Sequence, residues 1–244
     1  MDNIEIVADV IKKSKYCIGF TGAGISVESG IPPFTGAGGL WTKYDPKFIE
    51  LSFFYSNPKK SWEEMRKIFF NSMGTALPNK AHKVLAELEN KNIVKGIITQ
   101  NIDGLHQSAG SKNVIEFHGT INTLVCTDCD LKYRTSETDI TRDIPKCPSC
   151  NGILKPDFVF YGEGINKINY TKANDMAVKA DVVIIVGTAG QVMPACYLPF
   201  TSKKYGAKII EINTLESAFT SQITDYYFPV KATEFFSELE KFFK

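Results

Sequence analysis

The sequence predicts an α/β fold, a doubly wound parallel sheet with a smaller inserted domain. Short β-branched runs alternate with segments whose apolar residues recur at helical spacing, which is typical of a parallel sheet with helices on both faces. Two segments interrupt this alternation: residues 36–78 have no strand pattern, and residues 121–154 carry two CxxC pairs. We expect these two segments to form the smaller domain.

The elements of the larger domain follow in order along residues 1–35, 79–120 and 155–244. The predicted helices are residues 4–15, 79–90, 170–179, 195–205 and 233–244. The predicted strands are residues 16–20, 93–98, 113–117, 181–186 and 208–212, with a further extended segment at 155–163. Aromatic side chains in residues 36–78 are separated by Pro46, Pro58 and Pro78, which predicts a lobe of short helices.

The composition is that of a globular protein, with 244 residues, 43% hydrophobic, 23% charged and a formal net charge of +1. So small a net charge gives no field that would draw the chain to nucleic acid or to a membrane surface, and we expect neither as a direct partner. The first residues show no basic and apolar leader, so we expect no signal peptide. No apolar run approaches the ~20 residues of a membrane span. These features predict a cytoplasmic protein.

Four of the six cysteines form two CxxC pairs, Cys126 with Cys129 and Cys147 with Cys150, and 17 residues separate the pairs. Four thiolates at this spacing satisfy Zn(II) tetrahedrally, and the polar segment between them has little to bury without a metal. Because protein ligands then fill all four positions, the zinc should be structural. Two disulfides are the alternative, which an intracellular chain disfavours. The remaining two cysteines are expected to be ordinary buried thiols.

Glycine-rich or polar segments follow three of the predicted strands, at residues 22–26, 99–106 and 187–190. Glycines let a backbone approach a pyrophosphate closely, although Val27 stands where a complete GxGxxG pattern has its third glycine. In open α/β sheets, ligands bind outside the carboxyl ends of the strands. Three such segments therefore predict one ligand site at this edge of the sheet rather than three unrelated polar turns.

Several motifs together resemble the sirtuin family: GAGIS (22–26), SGIP (29–32), TQNIDGLH (99–106), HG (118–119), the paired CxxC, KPDFVFYGE (155–163) and EIN (211–213). They occur in the family's order over nearly the whole chain, and the segment after Phe34 is similar to bacterial and archaeal members. The resemblance implies a Rossmann-like NAD-binding domain and a small domain with a helical lobe and a four-cysteine zinc module. It also implies NAD-dependent removal of acyl groups from protein lysines.

The resemblance assigns roles residue by residue. Cofactor binding is implied for Gly22, Ala23, Gly24, Ser26, Phe34, Gln100, Asn101, Ile102, Asp103, Gly187, Thr188 and Asn213. His118 is the implied catalytic base, with Asn101 and Asp103 as further catalytic residues. Val159, Phe160 and Gly162 are implied to bind the substrate, an acyl-lysine peptide that lies as an extended strand between residues 155–163 and 188–193.

In the mechanism that the resemblance implies, the acyl oxygen of the substrate attacks C1′ of the nicotinamide ribose and nicotinamide leaves. His118 then accepts a proton from the ribose hydroxyls, the 2′ oxygen attacks the amidate carbon, and water yields lysine and 2′-O-acyl-ADP-ribose. A histidine with a pKa near ~6.5 is neutral enough at pH 7 to accept that proton. The other histidines, His82 and His106, are expected to be structural.

Two positions depart from the family pattern. Thr35 follows Phe34 where the family usually has arginine, and threonine lacks the donors of a guanidinium group. Ala189 stands where the family usually has serine. We expect weaker NAD binding or an altered substrate rather than loss of the chemistry. The Tyr-x-x-Arg pair of succinyl- and malonyl-preferring sirtuins is absent around Arg66, so we expect a neutral acyl group.

Two other functions stay open at this point. An NAD glycohydrolase or a mono-ADP-ribosyltransferase would use the same electrophilic carbon with another acceptor, and the departure at Thr35 gives this alternative weight. The second is a catalytically weak NAD-sensing module, which the presence of His118 disfavours.

Overall fold

The computed structural model describes residues 3–36 and 38–244. Met1 and Asp2, at the N-terminus where no signal peptide is expected, and Ala37, in the predicted lobe, lie outside the described residues. Within these two ranges, no helix is both long enough and apolar enough to cross a bilayer.

Helices and strands alternate over most of the chain. The α-helices are α1 (Ile4–Lys13), α2 (Leu40–Lys43), α3 (Leu51–Ser56), α4 (Pro58–Met65), α5 (Asn71–Met73), α6 (Lys80–Asn90), α7 (Leu105–Ser108), α8 (Lys167–Lys179), α9 (Tyr197–Lys204) and α10 (Ala232–Leu239). The strands are β1 (Cys17–Thr21), β2 (Val94–Thr99), β3 (Val114–Glu116), β4 (Gly119–Cys126), β5 (Lys132–Arg134), β6 (Leu154–Phe158), β7 (Val182–Val186), β8 (Lys208–Ile212) and β9 (Tyr226–Phe228). Short 3₁₀ helices cover Ala23–Ser29, Pro46–Ile49, Thr135–Glu137 and Glu240–Phe243, and a π-helical turn covers Arg66–Phe70.

Six strands form a parallel sheet in the order β3-β2-β1-β7-β8-β9, so the predicted doubly wound sheet is confirmed. The chain winds from β1 outward to β3 and then from β7 outward to β9, so the winding direction reverses between β1 and β7. Ligands of such sheets bind at the carboxyl ends of the strands beside this reversal. Thr21 of β1 and Val186 of β7 are register partners there.

Both faces of the parallel sheet are buried. In β7, Val182, Ile184 and Val186 belong to a core with α1, α6 and α10, whereas Val183 and Ile185 belong to a core with α8 and α9. A strand covered on both faces needs no polar alternation, which explains why its sequence is a continuous apolar run.

The small domain combines helices α2–α5 with an antiparallel sheet of order β5-β4-β6. One hydrophobic core holds both parts: Trp62 and Phe69 of the helical lobe share it with Leu124 and Leu154 of the sheet. The Trp62 indole N–H also donates to the Leu154 carbonyl at 2.9 Å. β4 and β6 each extend across a boundary expected from the sequence, since β4 begins at Gly119 and β6 ends at Phe158.

Some elements differ from the sequence prediction. β4, β5 and β9 were not predicted, and the last helix ends at Leu239, after which the chain continues as a 3₁₀ helix. β5 and β9 are three residues long, too short to show a two-residue period. β4 is eight residues long, but its burial does not alternate and its pairing with β6 shifts register, so no clean pattern marks it.

Candidate functional site

A cleft of about 1200 Å³ opens at the carboxyl ends of β1, β2 and β7, beside the small domain. It is lined by most of the residues that the motifs singled out: Gly22, Ala23, Gly24, Phe34, Gln100, Asn101, Ile102, His118, Val159, Phe160, Gly162, Gly187, Thr188 and Asn213. The structure thus brings together residues from six separate segments. Ser26 and Asp103 do not line the cleft and lie behind its wall, bonded to each other.

The glycines after β1 and β7 allow two loops to pack directly against each other. A Cβ atom on Gly24 would lie 2.5 Å from the Gly187 Cα, and one on Gly22 would lie 2.7 Å from the Thr188 Cβ. The Gly24 amide donates to the Gly187 carbonyl at 2.8 Å, and the Gly22 amide donates to Val186 at 3.0 Å. These two amides are therefore used by the fold, and loop packing requires the two glycines whether or not a ligand is bound.

The amide of Ala23 differs from those on either side of it. It makes none of the main-chain hydrogen bonds that hold Gly22 and Gly24, in the chain as the structure describes it, and Ala23 lines the cleft. A backbone N–H that is free at a switch point is a donor suited to a phosphate oxygen.

Asn101 is held from behind by a buried hydrogen-bond chain. Its Nδ2 donates to the Ser26 hydroxyl and to the Gly22 carbonyl, both at 3.2 Å. The Ser26 hydroxyl donates to Asp103 Oδ2 at 2.7 Å, and the Leu105 amide donates to Asp103 Oδ1 at 2.9 Å. Burial raises the pKa of Asp103, and these hydrogen bonds oppose the rise. Because the side-chain nitrogen of Asn101, Nδ2, makes these hydrogen bonds, its side-chain oxygen, Oδ1, is the atom left to contact a ligand.

His118 is held in one neutral form. Its Nδ1 lies 3.1 Å from the Gln100 carbonyl, which can only accept, so Nδ1 carries the hydrogen and Nε2 carries a free lone pair. Burial lowers the pKa of His118 below the usual value of 6.5, and the bond to Gln100 opposes the fall. The ring is therefore neutral at pH 7, with Nε2 able to accept a proton.

The glycine of the HG motif is required by the fold. Gly119 has φ +78°, and a Cβ there would lie 2.1 Å from the Asp157 carbonyl oxygen. The main-chain carbonyl of His118 accepts the Val159 amide at 2.9 Å. The histidine is thus connected directly to the segment expected to hold a peptide.

A second network joins the ends of β2, β7 and β8. Gln100 Nε2 donates to the Thr188 hydroxyl at 3.0 Å, and Asn213 Nδ2 donates to the Thr188 carbonyl at 3.0 Å. Asn213 Nδ2 also donates to Glu211 Oε1 at 2.9 Å. Glu211 is fully buried and accepts three further hydroxyls, those of Ser217, Thr220 and Thr224. The glutamate of the EIN motif anchors this loop and does not line the cleft.

One end of the cleft is apolar and aromatic. Its rings belong to Phe34, Trp41, Phe69, Phe158 and Phe160, with Phe34 and Trp41 centred 5.4 Å apart and Phe69 and Phe158 5.5 Å apart. Sequence reasoning missed Trp41, Phe69 and Phe158 as lining residues. The aromatic content of residues 36–78 was the available signal, but it predicted only a helical lobe.

The outer rim of the cleft is apolar too. Tyr161, Val192 and Met193 line the cleft and are more than half exposed. Glu28, Glu216 and Lys231 also line the cleft, near the loops that follow β8 and β9. Tyr161, Val192 and Met193 lie in the two segments expected to hold the peptide, although none was singled out as a site residue, and Glu28, Glu216 and Lys231 lie outside the quoted motifs.

The four paired cysteines meet at one point. Their Sγ atoms all lie within 4.8 Å of one another. The distances from Cys126 to Cys150, from Cys129 to Cys150 and from Cys129 to Cys147 are 3.4, 3.4 and 3.7 Å. Four ligands about 2.3 Å from a tetrahedral zinc stand ~3.8 Å apart, so the donor set fits this ion. Amides of Asp128 and Gly152 point at Cys126 and Cys150, both at 3.4 Å. None of the cysteines is in a disulfide, and the four do not line the cleft.

The other two histidines lie beneath the site. His82 and His106 are buried and pack edge to face, with ring centroids 4.9 Å apart. Burial lowers the pKa of His82 to about 4 and that of His106 well below 6.5. His106 Nε2 contacts the Thr21 hydroxyl at 2.9 Å, and neither ring lines the cleft.

Comparison with known proteins identifies close relatives. The model of the Sir2 family matches residues 22–194. An "NAD-dependent protein deacylase" of Pyrococcus furiosus is 44% identical over 239 residues, covering 96% of this chain and 95% of that protein. A Sir2 structure with a deacetylated p53 peptide and 3′-O-acetyl ADP ribose aligns with a TM-score of 0.91 and 34% identity, covering 98% and 97% of the two chains. A Sir2 structure bound to a propionylated peptide aligns with a TM-score of 0.89 and 34% identity, covering 99% and 98%.

Proposed function

The chain belongs to the Sir2 family, and on this basis we propose that it is an NAD-dependent protein lysine deacylase. Its products are nicotinamide, the free lysine and 2′-O-acyl-ADP-ribose. The observation that carries the proposal is the state of His118, a neutral imidazole with a free Nε2 on a residue that lines the same cleft as Asn101. A general base in this state suits removal of a proton from a ribose hydroxyl.

The cleft fits NAD at three places. The free Ala23 amide is a donor for the diphosphate, and the side-chain oxygen of Asn101 is an acceptor for the nicotinamide ribose. Phe34 and Ile102 shield the nicotinamide ring from water. Ser26 and Asp103 act through Asn101, whose amide they hold. When bound, NAD supplies an electrophilic C1′ carbon and a leaving group. The protein's own contribution is to orient that carbon and to accept the proton at His118 Nε2.

The substrate segment offers one main-chain group at Val159. Its amide already donates to the His118 carbonyl, so the Val159 carbonyl is the group that accepts the side-chain N–H of the acyl-lysine. The peptide then extends between residues 155–163 and 188–193, where Tyr161, Val192 and Met193 form an apolar rim. Recognition through main-chain atoms makes selection among peptide sequences weak.

We assign NAD binding to residues 1–35, 79–120 and 155–244, and the small domain to residues 36–78 and 121–154. The cysteine cluster suits a structural zinc, because all four ligands come from the protein and none lines the cleft. A set of four free thiols of this kind is maintained in a reducing compartment, so we place the enzyme in the cytoplasm.

Nicotinamide release tests the proposal. The purified protein is incubated with NAD alone, with NAD and an unmodified peptide, and with NAD and the same peptide carrying acetyl-lysine. A deacylase releases nicotinamide only in the third reaction. Equal release in all three would identify a glycohydrolase, and no release in any would identify a sensor.

A further inference from the structure

We propose that Lys155 and Glu163 form a positioning pair that fixes the Val159 carbonyl and the Phe160 ring and thereby sets the affinity for the acyl-lysine peptide. The inference rests on the proposed function and adds to it two residues that do not touch the reacting atoms.

The ammonium group of Lys155 is enclosed by acceptors. Its Nζ donates to Glu163 Oε2 at 3.0 Å, to the Phe158 carbonyl at 2.9 Å and to the Pro156 carbonyl at 3.0 Å. All three N–H bonds of the ammonium are thereby satisfied. The Lys155 side chain is 7% exposed and that of Glu163 is 25% exposed, so the pair is largely removed from water.

The pair contacts the chain on both sides of Val159. Lys155 donates to the carbonyl of Phe158, the residue before Val159. Glu163 Oε2 accepts the amide of Phe160, the residue after Val159, at 2.7 Å. The ammonium also lies 4.1 Å from the centroid of the Phe160 ring. A cation at this distance from an aromatic face is attracted to it, so the pair holds the ring as well as the main chain.

The Lys155–Glu163 pair holds a segment that has no strand pairing with β4. The pairing of β6 with β4 ends at Phe158, and the next contact with a neighbouring segment is at Tyr161, whose amide donates to Ile49 at 2.9 Å. Between these points the Val159 amide donates to the His118 carbonyl, and the Phe160 carbonyl accepts the Glu163 amide at 2.9 Å in a local turn. The Lys155–Glu163 pair adds the bonds to the Phe158 carbonyl and the Phe160 amide. Loss of the pair would leave Val159 and Phe160 with one main-chain hydrogen bond to a neighbouring segment, that of Val159 to His118, beside the local turn.

The energetics favour a specific purpose for such a pair. Burying an ammonium and a carboxylate costs as much as their attraction returns, and a hydrophobic pair of similar volume is often as stable. Burial lowers the pKa of Lys155 and the adjacent Glu163 opposes the fall, so the charge is kept at a desolvation cost. We infer that the pair is present because its hydrogen bonds position Val159 and Phe160.

The same segment contains a matched control pair. Lys132 and Asp157 form an ion pair of 2.6 Å with side chains 56% and 30% exposed, and its hydrogen bond joins β5 to β6 without involving residues 158–160. Exposed pairs contribute little, so loss of this one should leave the substrate segment unchanged.

Steady-state kinetics with an acetyl-lysine peptide and NAD test the inference. Glu163→Gln and Lys155→Met should raise the peptide KM about tenfold, with the KM for NAD within twofold of the parent and a smaller change in kcat. Lys155→Arg should restore part of the peptide affinity, and Lys132→Met should match the parent. The unchanged KM for NAD shows that a variant is folded, and Glu163→Gln, which keeps the side-chain volume, serves if Lys155→Met does not fold.

An unchanged peptide KM in folded Glu163→Gln, or equal increases in the peptide and NAD KM values, would overturn the inference. Failure of the proposed function has a different signature, since the parent itself would then show no peptide-dependent release of nicotinamide.

Discussion

At the scale of single residues, hydrogen bonds made within the fold determine which atoms are left for chemistry. The His118 Nδ1 hydrogen is used by the Gln100 carbonyl, so Nε2 is left free to accept a proton. The Val159 amide is used by the His118 carbonyl, so the Val159 carbonyl is left free to accept a hydrogen bond. The site is therefore prepared for one pattern of donors and acceptors before any ligand is bound.

His118 should remain able to act as a base at pH values below the ordinary histidine pKa of 6.5. Because burial lowers its pKa below 6.5, the ring stays neutral as the pH falls to that value, and activity is lost only as the pH falls through the lowered pKa. The acid limb of kcat/KM against pH should therefore have its midpoint below 6.5.

His118→Ala supplies the control for that pH profile. It should abolish deacylation and leave NAD binding within about threefold of the parent, because the base acts after the cofactor is bound. Comparable turnover in parent and variant would remove His118 from its assigned role.

Thr35 offers a second prediction at this scale. It is exposed and lines the cleft beside Phe34. Thr35→Arg should lower the KM for NAD by roughly tenfold, if a charge-assisted hydrogen bond of about 1.5 kcal/mol forms with the diphosphate. The kcat should change less, because the contact is present in both ground and transition states.

Thr35→Gln is the matched control, since it has length and donors without the charge. If Thr35→Arg leaves NAD affinity unchanged and alters the preferred acyl group, Thr35 shapes the acyl or acceptor site instead, and the expectation of weak NAD binding is wrong.

Much of the cleft lining could be predicted from sequence because three strand ends carry glycine-rich or polar segments. Gly22, Asn101 and Thr188, one from each segment, all line one cleft, and His118, named from the family resemblance, lines it too. Trp41 and Phe69 were missed because an aromatic side chain gives the same sequence signal in a core and in a cleft wall. Lys155 was not singled out, because its environment depends on a turn that brings Glu163 back to it.

At the scale of elements, each part of the cleft comes from a different type of structure. The loops after β1 and β7 lie at the switch point, and α2, the π-helical turn Arg66–Phe70 and the end of β6 provide Trp41, Phe69 and Phe158 of the aromatic end. The loops at the switch point pack closely through Gly24 and Gly187, which suits binding of a cofactor that is the same in every reaction. The apolar rings of the aromatic end suit the acyl group of the substrate.

The aromatic end should select neutral acyl groups. A carboxylate placed among Phe34, Trp41 and Phe69 would be buried without a cationic partner, which costs several kcal/mol. The kcat/KM of a succinyl-lysine peptide should be lower than that of the acetyl-lysine peptide by roughly a hundredfold or more. A butyryl-lysine peptide has a similar length without the charge, and it should be used much better than the succinyl peptide. Equal use of both would contradict the assignment of the acyl group to this end.

The parallel sheet was predictable because its buried strands are long apolar runs with glycine-rich ends, whereas β9 is a three-residue edge strand without a pattern. The antiparallel sheet was not predicted, because the cysteine spacing accounted for residues 121–154 without a strand. Pairing of β4 with β6 is a long-range contact that no local pattern reports.

At the scale of the whole molecule, the cysteine cluster and the lobe form one unit. Cys126 and Cys147 belong to the same core as Trp62 and Phe69, so a change at the metal site reaches the wall of the cleft through packed side chains. The cysteine cluster can therefore affect activity through the packing of this core, without a chemical role for the metal.

Loss of zinc should destabilise this unit. Cys129→Ala should release the metal, lower the free energy of unfolding by several kcal/mol and reduce activity indirectly. Metal analysis of the purified protein and thermal unfolding measure both effects. Cys196→Ala is the control: it removes a buried thiol from a different core and should keep the metal. Folded parent protein that contains no zinc would contradict the assignment.

The central claim is that the acyl group of lysine is transferred to ADP-ribose, and mass spectrometry of the products tests it most directly. The protein is incubated with NAD and an acetyl-lysine peptide, and O-acetyl-ADP-ribose, nicotinamide and deacetylated peptide are quantified together. We expect the three products in equal amounts. Unmodified ADP-ribose formed in proportion to nicotinamide, with the peptide still acetylated, would contradict the account and identify an NAD glycohydrolase.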